Sequence, residues 1–154
     1  MMTIDKLKNF PEAIPTLANI FYEVLGKKYF PDYSIEEIQA WYDDWLNETI
    51  PLAYVALVDG EPVGSCSLQL YDGIRKDLGP WLGDLTIDAR YQRQGIGKRL
   101  IEAVKQHAKK CHFDHLYLFT FDAKLQSYYE KLGWRLIGED RYDGHPVIVM
   151  SIML

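Results

Sequence analysis

The segment Asp88-Ala89-Arg90-Tyr91-Gln92-Arg93-Gln94-Gly95-Ile96-Gly97-Lys98-Arg99-Leu100 concentrates groups that suit one task, the holding of an anion. It follows a strand-like run and opens an amphipathic one. The first turn of a helix leaves four N–H groups without partners, and with the helix dipole they attract negative charge. Gly95 and Gly97 remove side chains where a phosphate would approach the backbone. Gln92, Arg93, Lys98 and Arg99 add donors and positive charge around the same point, so a pyrophosphate would fit. Two common phosphate motifs fail here. A P-loop needs Ser or Thr after its Lys, and Lys98 precedes Arg99; a dinucleotide fingerprint needs a third glycine where Leu100 stands. Two glycines in the first turns of a helix cost stability and call for a reason.

Gln92-Arg93-Gln94-Gly95-Ile96-Gly97 resembles the Gln/Arg-x-x-Gly-x-Gly/Ala signature of the GNAT family of N-acetyltransferases. Three further segments share the resemblance in the same order and spacing. Pro80-Trp81-Leu82 leading into Leu85-Thr86-Ile87-Asp88 is similar to the family's fourth strand, and Leu116-Tyr117-Leu118-Phe119-Thr120 to its fifth. Tyr128-Tyr129-Glu130-Lys131-Leu132-Gly133-Trp134 resembles its Tyr-Glu-Lys-Leu-Gly-Phe segment. The resemblance is strong from about Val55 to Leu154 and weak over the first fifty residues, where the family varies with substrate.

The resemblance implies acetyl-CoA as donor and direct attack by an amine. The pantetheine arm is expected between splayed fourth and fifth strands, on the backbone of Leu85, Thr86 and Ile87, where an N–H would stabilise the oxyanion. Gln92, Arg93, Gln94, Gly95, Ile96, Gly97 and Lys98 are implied to hold the pyrophosphate. Tyr129 falls where the family's general acid stands and would protonate the thiolate. Asp122 stands where many relatives carry Asn; it is expected as a helix cap with a cofactor contact open. Asp84 is the candidate base, with a solvent-exposed strand residue as the competing reading. Alternation would put Asp84 and Thr86 on one face and Leu85 and Ile87 on the other, unless a bulge shifts it.

Charge is divided along the chain. Tyr29 to Ile74 contains no Lys or Arg but holds Asp32, Glu36, Glu37, Asp43, Asp44, Glu48, Asp59, Glu61 and Asp72. Tyr29, Phe30, Tyr33, Trp41, Tyr42 and Trp45 lie in the same region, a mixture that suits a cationic amine through charge and cation–π contact. Ile38, Trp41, Tyr42 and Trp45 also have the spacing of a buried helix stripe, so most are expected in the core. The loop Tyr71 to Trp81 and the turn Tyr142 to Pro146 are further candidates for the acceptor pocket.

The elements that must position these groups follow from periodicity. A helix is expected from about Glu12 to Leu25, stopped by Gly26, and a second from Ser34, whose partner Glu37 completes a capping box, through Ile38, Trp41, Trp45 and Leu46. Leu52 to Val58 and Pro62 to Leu70 read as a hairpin turning at Asp59-Gly60. Leu82 to Ile87, a helix from Gly95 to Lys110, a strand from His115 to Phe121 and a short helix from Ala123 to Lys131 follow. Trp134 to Tyr142 and Pro146 to Leu154 form a last pair around Asp143-Gly144. The order predicts one α/β (mixed α+β) domain with a central mixed sheet flanked by helices, spanning all 154 residues.

Composition sets the remaining bounds. With 48% apolar and 25% charged residues, the chain is that of a globular domain. A net charge of −5 argues against general nucleic-acid binding. No run of about 18 apolar residues is present, so no membrane partner is expected. Residues 1–10 lack a signal-peptide pattern, and two cysteines are too few for a disulfide framework; a cytoplasmic setting is expected. Cys111, His112 and His115 lack a second cluster and read as structural, so no metal is expected. The acceptor is a small-molecule amine or a peptide amine, and paired C-terminal strands, which often make dimers in the family, imply a homodimer. Competing readings are an acyl-CoA-binding or sensing domain without catalysis and a nucleotide-binding scaffold.

Overall fold

A computed structural model describes residues 1–154. The strands are β1 (Met2–Lys6), β2 (Leu52–Val58), β3 (Glu61–Gln69), β4 (Trp81–Ile87), β5 (His115–Thr120), β6 (Arg135–Tyr142) and β7 (His145–Met153). They form one sheet in the order β1-β2-β3-β4-β5-β7-β6. Neighbours are antiparallel except β4 and β5, which run parallel. The helices are α1 (Ile14–Phe21), α2 (Lys27–Tyr29), α3 (Ile35–Asp43), α4 (Ile96–Lys110) and α5 (Gln126–Lys131). The expected mixed sheet with flanking helices is what the chain forms.

The helices form two apolar layers on the sheet. Ile96, Leu100, Val104 and Ala108 of α4 are buried at spacings of four and pack with Leu52, Leu68, Leu116 and Met150. Leu17, Phe21, Ile38 and Tyr42 from α1 and α3 pack with Ala53, Val55 and Leu57 of β2. Alternate residues of β2 therefore feed opposite layers, as a pleated strand requires. Each large aliphatic side chain so buried contributes ~1.5–3 kcal/mol.

Besides α3 ending at Asp43, short of the expected Trp45 and Leu46, the N-terminal half departs from expectation in two places. Gly26 does not stop the first helix. It keeps right-handed helical geometry at the end of a wide π-type turn, Tyr22–Gly26, and the chain stays helical to Tyr29. The stop is Phe30, at φ −132°, because the next residue is Pro31, which disfavours helical geometry in its predecessor. The second departure is β1, which no local signal announces: Met2 to Lys6 pair with Val58 to Tyr54. Lys6 and Lys8 both pair with Glu48, which fastens this end of the chain beside β2.

Candidate active site

The parallel pair β4 and β5 separates almost as soon as it forms. Trp81 partners Tyr117, and Tyr117 N–H donates to Pro80 C=O at 3.0 Å; no later residues of the two strands are partnered. Leu82 to Ile87 and Leu118 to Thr120 therefore border a gap. On its other side, β4 carries a bulge. Ser65 partners Thr86 and Ser67 partners Gly83, so Asp84 and Leu85 together face the single residue Cys66. Asp84 takes a positive φ of 53°, uncommon for a side chain of this kind. Such a bulge re-aims side chains and leaves backbone groups outside the ladder.

Three spaces share walls along this gap. The largest, about 730 Å³, runs from the glycine turn to α5 and is lined by Gln92, Arg93, Gly95, Ile96, Gly97 and Lys98, together with Leu85, Ile87 and Asp122. Tyr128 and Tyr129 also line it. The second, about 110 Å³, lies between β4 and β5 and touches Leu85, Asp122 and Tyr129 again, with Asp72, Gly83 and Asp84. The third, about 210 Å³, shares Asp72, Asp84, Phe30 and Phe119 with the second and adds Trp41, Asp44 and Tyr142.

The glycine turn has the geometry an anion cradle needs. Gly95, at φ +82°, is the left-handed N-cap of α4, and a Cβ there would meet nothing within 4 Å. Gln92 is tied back by donating to Ile87 C=O at 3.0 Å. Arg93 and Lys98 line the cleft without an ion-pair partner in the protein, whereas Arg90 is paired with Asp88. These are groups able to hold a pyrophosphate. Two of the sequence candidates lie elsewhere. Gln94 is exposed outside the cleft, and Thr86 is buried with its side chain away from it. Asp122 caps the turn by accepting from Lys124 N–H at 2.9 Å, and it borders the cleft.

Tyr129 is buried, 6% exposed, where the largest space meets the second. Burial pushes its hydroxyl well above the ordinary tyrosine range, so it keeps its proton. Tyr128 is exposed on the cleft wall. Its hydroxyl stands 3.6 Å from where a Cβ on Gly97 would be.

Asp84 is not a solvent-exposed strand residue. Its carboxylate accepts from Ser67 Oγ at 3.1 Å and Gln69 Nε2 at 3.2 Å. Burial raises it to about 6, against the lowering effect of those two donors. Asp72, from the loop after β3, joins it. Burial and then the Asp84 charge hold Asp72 well above the usual carboxylate range. No sequence motif marked Asp72; only its place in the candidate acceptor loop could have drawn attention to it.

Aromatic side chains surround the carboxylates. Phe30, Trp41, Phe119 and Tyr142 line the third space, with Tyr142 stacked on Phe119 at 5.3 Å and edge-on to Phe30 at 5.6 Å. Of the α3 stripe, Ile38 and Tyr42 are core, Tyr42 hydrogen-bonding Ser65 Oγ at 3.0 Å, while Trp41 and Trp45 reach the space. His145 packs edge-on against Tyr29 at 5.5 Å. Cys111, His112 and His115 are exposed at the end of α4 and the start of β5, and no three His, Cys, Asp or Glu groups are placed to hold a metal.

The model of the acetyltransferase (GNAT) family matches residues 18–134. The chain belongs to the GNAT family. Among GNAT relatives, the spermine/spermidine N(1)-acetyltransferase of Bacillus subtilis (strain 168) is 31% identical over 100 residues. That match covers 61% of this chain and 66% of the relative, so the chain spans just under two thirds of that protein's length. A Bacillus anthracis str. Ames chain solved with acetyl coenzyme A is 26% identical, with a TM-score of 0.63 over 73% of this chain and 68% of that one. The fold is matched along nearly its whole length by an aminoglycoside 6'-N-acetyltransferase solved with coenzyme A. There the TM-score is 0.76 and the identity 20%, covering 98% of this chain and 96% of that one. No helix of this GNAT chain is long and apolar enough to cross a membrane.

Proposed function

We propose that this chain is an acetyl-CoA-dependent N-acetyltransferase that acetylates a primary amine by direct attack in a ternary complex. One observation carries the reading. The anion cradle and the acidic, aromatic space open onto the same short stretch, where Leu85, Asp84 and Tyr129 line a common cavity. A donor entering from the α4 side and an amine entering from the aromatic side meet there.

Acetyl-CoA supplies the thioester. Gln92 to Lys98 take its pyrophosphate, and the backbone of Leu85, Thr86 and Ile87 takes the pantetheine arm in the gap. A bulge N–H facing the acetyl oxygen stabilises the oxyanion. Asp84, raised to about 6, accepts a proton from the incoming ammonium, since a base works best with a pKa near the operating pH. The freed lone pair attacks the carbonyl carbon, the C–S bond breaks, and Tyr129 hands its proton to the departing thiolate. The acceptor is a small cationic amine: no Lys, Arg or His lines either acceptor-side space, while Asp44, Asp72 and Asp84 do. Two cysteines without a disulfide fit a cytoplasmic protein, and the β6–β7 edge is the surface offered for a homodimer.

The test begins with thermal stability against acetyl-CoA, CoA, ATP and NAD at matched salt. Acetyl-CoA and CoA alone should stabilise, by about 2.7 kcal/mol at a hundred times Kd. Thiol release is then followed with spermidine, kanamycin and a short peptide with a free N-terminus. Stabilisation without thiol release from any of them would leave a binding domain; no stabilisation would remove the reading.

A further inference from the structure

Asp72 belongs to no motif, yet it reaches the centre of the site. Its Oδ2 lies 2.8 Å from where a Cβ on Gly83 would stand, so the absence of a side chain at Gly83 makes room for the carboxylate over β4. It lines both spaces that Asp84 lines. Unlike Asp84, which is held by Ser67 and Gln69, Asp72 receives no hydrogen bond and no ion pair from the protein. An unpaired carboxyl set beside a second one inside an aromatic wall is costly unless a cation completes it.

Resting on the proposed acetyl transfer, we propose that Asp72 is a catalytic residue, the second member of a proton-sharing carboxyl pair with Asp84 that takes the proton from the acceptor ammonium. The groups facing the pair are acids or neutral. They are Tyr42 from α3 and Asp44 just past its end, Cys66 from β3 and Tyr142 from β6, with Asp122 and Tyr129 bordering the inner space. None supplies a positive charge, so two carboxylates in one site ionise in two steps, the second raised by the first. Burial raises Asp84 to about 6, and burial together with the Asp84 charge holds the proton on Asp72 well above the usual carboxylate range. Once both are ionised, the pair is a stronger base than either carboxylate alone. The substrate R–NH3⁺ gives one proton to the doubly ionised pair and becomes R–NH2, whose lone pair forms the N–C bond as the C–S bond breaks. The second N–H proton, lost as the amide forms, balances the one Tyr129 gives to the thiolate. The pair releases its proton to solvent, so each turnover frees one H⁺.

The experiment is a pH profile of kcat/KM for acetyl-CoA and the best of the three amines above, in wild type, Asp72→Asn and Gly83→Ala. Wild type should show an acid limb above pH 6. In Asp72→Asn, where one carboxylate remains, the limb should fall by at least one pH unit, with a plateau about tenfold lower. Gly83→Ala keeps the charge but pushes the Asp72 carboxylate away, and should move the limb the same way. A limb that stays in place in both variants, with or without a lower plateau, overturns the proposal while leaving the acetyltransferase reading intact. Acetyl-CoA affinity unchanged in Asp72→Asn confirms that the variant is folded. A wild type that turns over none of the amines removes both.

Discussion

Tyr129 from α5 and Asp84 from the β4 bulge line the same 110 Å³ cavity, each buried against apolar walls and each holding its proton more tightly than usual. One is thereby suited to give a proton to a leaving group and the other to take one from an ammonium. Replacing Tyr129 with Phe removes the proton and keeps the ring that packs on Trp134. The expected result is a fall in kcat of about a hundredfold with acetyl-CoA Kd unchanged. Rapid-quench kinetics and calorimetric titration check the two halves separately; an unchanged kcat removes Tyr129 as the acid.

Stability should fall as pH rises through the range where Asp84 titrates. Its folded pKa, about 6, lies above the unfolded value near 3.9, so the folded state binds more protons between those limits. The favourable contribution is complete below pH 4 and lost on passing 6. Asp84→Asn, which never ionises, should therefore be more stable than wild type at pH 8, on the order of 2 kcal/mol. The advantage should shrink to nothing near pH 4. Urea denaturation at the two pH values measures it.

Gly95 tests the anion cradle. At φ +82° an alanine there meets no neighbour but adopts a left-handed conformation, a cost of about 1 kcal/mol. Its methyl would stand in the open space beside the first turn of α4. Gly95→Ala should lower the melting temperature modestly and raise acetyl-CoA Kd about tenfold, equal to ~1.4 kcal/mol. Calorimetry with CoA reads this directly, and a Kd left unchanged would place the phosphates elsewhere.

Local signals made much of the framework legible. Ser34 and Glu37 form the reciprocal capping box their spacing announces, with both bonds at 3.1 Å. Asp59-Gly60 and Asp143-Gly144 turn with positive φ at both residues, as their types allow. Such signals act over two to four residues. β1 was not legible because its partners lie 48 to 56 residues away and its own sequence carries no turn or cap. Gly26 misled because a glycine permits a helix end without requiring one, and Pro31 supplied the stop. In the site, the glycine turn and Tyr129 sit in contiguous motifs. Asp72 does not: its importance arises only where the chain returns as β4 and sets Gly83 beneath it.

Trp41 offers a test of the acceptor side alone. It is half-buried and lines the outer space, away from the glycine turn. A cation–π contact with an ammonium is worth roughly 0.5–2 kcal/mol. Trp41→Ala should raise KM for the amine by roughly 3- to 30-fold and leave acetyl-CoA Kd unchanged. Equal losses for both substrates would instead mean that the indole supports the fold.

The single Trp81–Tyr117 partnership between β4 and β5 has a mechanical consequence. A sheet transmits load through its cross-strand bonds, and here the first four strands join the last three at little more than one rung. Trp81, buried, tilted against Tyr117 and edge-on to Phe119, acts as a pivot for two stiff half-sheets. A ligand strand laid in the open part would brace the halves together. Pulled apart from β1 and β6, the molecule should yield first along this seam, and at higher force once it is loaded.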